Sequence, residues 1–303
     1  MKEQIIAIAL LLAVSAGGLA AQPSPSPQTW TGDPAVSPDG SRVAFISDRD
    51  GSTDLYVIAS DGTGEVRLTK NAEKEGSPAW SADGKHVLFF VFANDESRRY
   101  RIDSADGRNV TLLGTVAGRS ARGSPSGTRV LYAVGSWTAM HLMTSDPDGT
   151  NPKQITDGTF VAWGPRWSPD GRSIAFASRE TAKELNVWVM SADGSERRRI
   201  THFEETEGHA QSPAWSPDGG RLAIQVDDTD PKAHRSHIWT VDVATGAVHK
   251  LGPHSQPYLD EIPSWFPDGR RIVFGSDRTG RLELWVMNAD GSGLRQLTGR
   301  ARK

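Results

Sequence analysis

Beyond about residue 36 the chain alternates short apolar runs with clusters of turn residues, and it does so six times in one phase. The first set of runs is Val43-Ala44-Phe45-Ile46, Val87-Leu88-Phe89-Phe90, Val130-Leu131-Tyr132-Ala133, Ile174-Ala175-Phe176-Ala177, Leu222-Ala223-Ile224 and Ile272-Val273-Phe274. A second set is Leu55-Tyr56-Val57-Ile58, Tyr100-Arg101-Ile102, His141-Leu142-Met143, Val187-Trp188-Val189-Met190, Ile238-Trp239-Thr240-Val241 and Leu284-Trp285-Val286-Met287. Short β-branched and aromatic runs bounded by Gly, Pro, Asp and Ser read as strands.

The turn residues say how these strands connect. Ser-Pro-Asp-Gly or a relative starts at Ser37, Ser81, Ser124, Ser168, Ser216 and Phe266, ahead of each run of the first set. Pro presets φ at the second turn position, Asp suits the third and Gly accepts positive φ at the fourth, which makes a hairpin turn with a bulge. A second turn follows each run of the second set, at Asp61-Gly62, Asp106-Gly107, Asp148-Gly149, Asp193-Gly194, Thr245-Gly246 and Asp290-Gly291. A short last strand comes after it, as in Arg67-Leu68-Thr69, Gln154-Ile155-Thr156, Arg199-Ile200-Thr201 and Gln296-Leu297-Thr298. With the strand that carries Pro78-Ala79-Trp80, each repeat has four strands and a period of roughly 43 to 50 residues, which predicts an all-β, six-bladed β-propeller with four antiparallel strands per blade. Trp80, Trp167, Trp215 and Trp265 recur at one place on the first strand, and Trp188, Trp239 and Trp285 at one place on the third, so these seven rings are expected to fill the space between blades.

Composition adds compartment and stability. Lys2, the apolar run Ile5 to Val14 and the small residues up to Ala20-Ala21 form a signal peptide over 1–21, too short to span a membrane. Residues 22–32, with Pro23, Pro25 and Pro27 alternating with serine, read as a linker, and 33–303 as the propeller. The mature protein is therefore expected to be periplasmic or secreted, with no membrane insertion after signal cleavage. Cysteine is absent, so packing alone must hold the fold. A net charge of −3 gives no reason to expect nucleic acid as a partner.

The phrase Pro-x-Trp-Ser-Pro-Asp-Gly, an apolar strand, Ser47-Asp48-Arg49-Asp50-Gly51 or Ser276-Asp277-Arg278-Thr279-Gly280, then Leu-Tyr or Leu-Trp, Asp-Gly and Leu-Thr resembles the TolB-like propeller repeat. The resemblance covers roughly 270 residues and implies a bacterial envelope propeller that works by binding proteins. The family's namesake carries an α/β domain ahead of its propeller. Here only a short linker is read before the first repeat, so the resemblance speaks for the fold rather than for a Tol–Pal role. Some TolB-like propellers are polysaccharide lyases or the non-catalytic half of peptidases.

Propeller geometry puts both repeating turns on one face, and the second-to-third turns and blade connections on the other. The second face carries nearly all the irregular sequence, and binding residues sit on variable loops held by a rigid scaffold. The candidate binding residues there are Trp163, Tyr258 and Trp137, aromatics without counterparts in the other repeats, and Glu75, Glu207, His209, Asp260 and Glu261, which could rim a channel mouth for a protein or peptide of the cell envelope. His209, His234 and His237 share a sector, but His234-Arg235-Ser236-His237 is not a usual ligand spacing, and neither metal nor cofactor is expected. Gly123-Ser124-Pro125-Ser126-Gly127 is a decayed turn and not a nucleophile elbow, and no other catalytic motif stands out. The alternative function is a lyase or hydrolase acting on an envelope carbohydrate, with His209 and nearby carboxylates as its acid–base groups.

Two structural expectations complete the reading. No repeat is split between the termini, so closure rests on the first blade packing against the sixth, unless the residues around Trp30 add an outer strand. The third blade should be the weakest packed, because Gly123 stands where other blades carry Trp, and Trp137 or Trp163 is expected to fill the gap.

Overall fold

The structure, a computed structural model, describes residues 29–93, 95–136, 138–158, 161–179, 185–203, 208–228, 235–252 and 258–299. It contains six antiparallel sheets of four strands. The first blade is β1 (Thr31–Val36), β2 (Arg42–Ser47), β3 (Asp54–Ala59) and β4 (Val66–Arg67); the second is β5 (Lys74–Trp80), β6 (His86–Ala93), β7 (Glu96–Asp103) and β8 (Thr111–Val116). The third is β9 (Arg119–Gly123), β10 (Val130–Ser136), β11 (Ala139–Ser145) and β12 (Lys153–Gln154); the fourth is β13 (Val161–Trp167), β14 (Ser173–Arg179), β15 (Leu185–Ser191) and β16 (Arg198–Arg199). The fifth is β17 (His209–Trp215), β18 (Arg221–Asp227), β19 (Ser236–Asp242) and β20 (Val248–Lys250); the sixth is β21 (Asp260–Trp265), β22 (Arg271–Ser276), β23 (Glu283–Asn288) and β24 (Arg295–Gln296). Each sheet runs in sequence order, so the six-bladed reading holds with no split blade among the described residues.

The repeat motifs are visible as hydrogen bonds. In the first turn Ser37 Oγ donates to Asp39 Oδ1 at 2.6 Å and accepts from Arg42 N at 2.9 Å, and Ser81, Ser168 and Ser216 repeat the bond to aspartate. The Ser37 hydroxyl, with Ser41, holds the Asp39 carboxyl at about 2. The Leu-Thr motif is a buried clamp: Thr69, Thr156, Thr201 and Thr298 accept at Oγ1 from Leu55, Leu142, Val187 and Leu284 N at 2.8–2.9 Å. The second blade has no such threonine and pairs a longer β8 along β7 instead.

All seven repeat tryptophans lie in or against apolar clusters that join neighbouring blades. Trp80, Trp215 and Trp265 also donate from Nε1 to Ala35, Arg166 and Ala214 O, each on the inner strand of the preceding blade, at 2.9–3.2 Å. Two inner strands lack the ring. In the first blade Val36 takes its place, and Phe266 of the sixth blade, standing where other turns have Ser, is fully buried in the shared cluster. In the third blade the expectation that Trp163 fills the gap is corrected. Arg99, from β7 of the blade before, lies beside Gly123, where an added Cβ would meet its Nη2 at 3.2 Å. Trp163 packs instead on the cluster between the third and fourth blades, and Trp137 lies outside the described residues. The cluster joining the second and third blades is reduced to Phe90, Val116, Ala121, Val130 and Tyr132, with Phe92 and Met143 at its edge.

Trp30 does not add a strand to the sixth blade. Its carbonyl accepts from Asp48 N at 3.0 Å, within the first blade, and only its side chain reaches across, donating from Nε1 to Glu261 at 2.8 Å.

Candidate functional site

The first strand of each blade lines the axis, and all six are bent at one place. Asp33, Ser77, Ser120, Ser212 and Ile262 have φ between 47° and 57°, and Gly164, which adopts this conformation without steric cost, has φ 59°. Pairing to the second strand slips at each of these points, so every inner strand carries a β-bulge. The residue after the bulge is buried in every blade: Pro34, Pro78, Ala121, Pro165, Pro213 and Pro263. The next residue is again partly exposed, and forms a ring of Ala35, Ala79, Arg122, Arg166, Ala214 and Ser264.

Three charged side chains meet inside this ring. Arg122 Nη2 lies 3.2 Å from Asp33 Oδ1 and Arg166 Nη2 lies 4.0 Å from the same oxygen. Ser77 N donates to Asp33 Oδ2 at 2.6 Å. One carboxylate of the first blade thus touches the inner strands of the second, third and fourth, which is possible only on the axis. Each guanidinium is also anchored to its own strand, Arg122 Nη1 to Ala121 O and Arg166 Nη1 to Pro165 O, both at 3.2 Å. The side chains retain 15 % (Arg122), 22 % (Arg166) and 18 % (Asp33) of their exposure, so the cluster is largely enclosed but not sealed from water. Burial, reinforced by the charge of Arg122, lowers Arg166 to about 9.

Towards the irregular face the channel wall turns acidic. Glu261 is buried and pushed up to about 7 by burial, despite the Trp30 bond, with Asp227, Asp277 and Asp33 adding repulsion. Burial raises Asp227 to about 6, although Gln225 and Gln211 donate to it at 2.7 and 2.5 Å.

The expected site residues separate on this frame. Glu261 faces the acidic cluster, and His209 begins β17 directly opposite Asp227. Trp163 is half-buried on β13 with the Arg179 guanidinium 5.6 Å from its ring, and Tyr258 is half-buried with Arg278 at 5.3 Å. Glu75 is buried and accepts from Thr69 Oγ1 at 2.5 Å, Asn71 Nδ2 at 2.7 Å and Leu55 N at 3.0 Å, an arrangement that ties the first blade to the second. Asp260 is buried against Arg278 at 2.5 Å, with His237 Nδ1 at 3.9 Å. Trp137 and Glu207 lie outside the described residues, as does His234. The axial trio was not among the expected residues. Its signal was present: Arg stands in two successive repeats where three of the other four hold Ala.

Comparison with known proteins fits the repeat and the sheets. Dipeptidyl-peptidase 5 of Porphyromonas gingivalis is 24 % identical, over 87 % of this chain and 47 % of its own length. The Tol-Pal system protein TolB of Bordetella pertussis is 33 % identical over 54 % of this chain and 35 % of its own length. This chain therefore spans about half of the first relative and about a third of the second. The crystal structure of TolB from Acinetobacter baumannii superposes with a TM-score of 0.64 at 20 % identity, over 87 % of this chain and 62 % of that one. The family model described as the TolB beta propeller domain matches residues 21–142 and again 126–303. Repeat, sheet order and family match coincide along the chain, which belongs to the TolB β-propeller domain family.

Proposed function

We propose that this protein is an exported, periplasmic propeller that holds a protein or peptide partner on its irregular loop face and at the channel mouth. One observation carries the reading: departures from the repeat gather on the channel wall and irregular face, whereas the opposite face is built of near-identical turns. Those turns use their own polar groups, as Ser37, Asp39 and Arg42 do, and leave few for a partner. The irregular side offers half-buried aromatic rings at Trp163 and Tyr258 and, on other blades or strands, the carboxyls of Glu261 and Asp227, a mixture suited to anchoring a peptide. Family membership and the similarity to TolB proteins support an envelope setting.

The test is a crosslinking pull-down of the mature protein from the periplasmic fraction of its own cells. A discrete protein partner is expected, reduced at least severalfold by Trp163→Ala or Tyr258→Ala in variants that keep a cooperative unfolding transition. Failure to recover a partner, or recovery indifferent to both substitutions, would sink the proposal.

A further inference from the structure

We infer that the Arg122–Arg166 pair on the propeller axis is a seat for the terminal carboxylate of a peptide. The inference deepens the peptide-binding reading above and rests on it, by naming the group that enters the channel.

The argument begins with charge. Two guanidiniums share one carboxylate, Asp33, and among the described residues no other acidic side chain bonds to either. The trio therefore carries one net positive charge in a largely enclosed place, where an uncompensated ion is costly. Arg166 registers this, since burial and the neighbouring Arg122 both depress its proton affinity while Asp33 only partly restores it. A single negative charge completes the balance. A dianion would overshoot it, the more so because Glu261, a carboxyl already repelled by Asp33, stands in the same field.

Geometry selects the carboxylate. Guanidinium forks match carboxylates with paired N–H donors. Here both forks are pre-set, each holding its own strand's carbonyl by Nη1 and turning Nη2 to the axis. Ordering two long side chains at the moment of binding is thus avoided. The rest of the ring is Ala35, Ala79, Ala214 and Ser264, side chains small enough to leave room for a narrow chain end. The interblade packing does not require the pair: the same ring position is alanine in three blades, and their inner strands are bent in the same way.

Calorimetry with the mature chain tests this, using triglycine as the free acid, triglycine C-terminal amide and sodium D-glucuronate. The free acid is expected to bind roughly tenfold or more tightly than the amide. Arg166→Gln and Arg122→Gln should each remove that preference, and Arg166→Lys, which keeps the charge without the fork, should retain part of it. Equal binding of acid and amide, no binding of either, or a preference untouched by both glutamine variants overturns the seat. Binding of glucuronate but not of triglycine overturns the peptide assignment. The pull-down separates the two proposals: a partner captured equally by wild type and Arg166→Gln leaves the binding function standing and removes this inference.

Discussion

At the residue scale, the conspicuous departures from the repeat come in compensating pairs. Val36 is too small to bridge to the sixth blade, and Phe266 supplies the missing volume from the other side. Gly123 has no side chain at all, and Arg99 is drawn over it, where burial lowers the guanidinium's pKa. Glu261 is an exception of another kind, a carboxyl withdrawn from water at the joint between first and sixth blades. Its pKa of about 7 lies above the ordinary 4.5, so the folded state holds a proton that the unfolded chain has released between those values. Stability must then fall as pH rises through that window, by an amount on the order of 3 kcal/mol for Glu261, at 1.36 kcal/mol per pH unit. Asp227, raised from 3.8 to about 6, acts in the same direction. Turn carboxylates held low, such as Asp39, lose their contribution only below about pH 4. Thermal unfolding should therefore show a higher Tm at pH 5 than at pH 8. Glu261→Gln, which preserves an acceptor for Trp30, should recover much of the difference at pH 8. A Tm that rises with pH over this range, or a variant with unchanged slope, contradicts the account.

At the scale of the element, a blade is held at both edges by side chains that complete backbone hydrogen bonding. The outer edge depends on threonine hydroxyls that accept from the third strand. In the fourth blade Thr201 Oγ1 accepts from Val187 N and donates to Asn186 Oδ1 at 2.8 Å, fully buried. Thr201→Val keeps the shape and strands Val187 N, while Asn186 Oδ1 still accepts from Phe203 N at 2.9 Å, at a cost of about 2 kcal/mol. Urea unfolding should show a lower midpoint with an unchanged m-value; a shift below the error of the fit would mean that the Leu-Thr clamp is not what secures the blade edge. The blades were legible in the sequence because turn chemistry and apolar runs are local, and six copies in phase reinforce one another. Ser37-Pro38-Asp39-Gly40 forms its turn from its own atoms and needs no knowledge of the rest of the chain. The axial site was less legible, since Asp33, Arg122 and Arg166 stand 89 and 44 residues apart along the chain and meet only after the ring has formed. The expected carboxylates illustrate the same limit. Glu75 and Glu261 look alike as loop-face acids, yet the first completes three hydrogen bonds between blades while the second lies among repelling carboxylates.

At the scale of the molecule, six wedge-shaped sheets close by packing. Where the first blade meets the sixth, Phe45, Tyr56, Val273, Leu284 and Leu297 share one cluster, Arg295 Nη2 donates to Ser60 O at 2.6 Å, and Arg49 approaches Glu283 at 3.7 Å. This seam is apolar packing with a few polar contacts, as at the other joints, but with Val36 and Phe266 in place of the inner-strand tryptophan, and no strand crosses it among the described residues. With no strand shared across it, the seam is expected to tolerate being joined while the ring is opened elsewhere. A circular permutant makes this concrete. Thr298 would be joined to Trp30 through a linker about as long as the 68–73 connection between β4 and β5, and new ends opened between the third and fourth blades. It should unfold cooperatively within a few degrees of the parent and keep the axial ring of Arg122, Arg166 and Asp33. A permutant that is soluble only as a molten or aggregated chain would show that the seam is not interchangeable with the other joints. If the permutant folds, the ring is an order of neighbours rather than a sequence with two ends: the chain can be opened at another joint, provided that matched neighbours such as Val36 and Phe266, or Gly123 and Arg99, stay side by side.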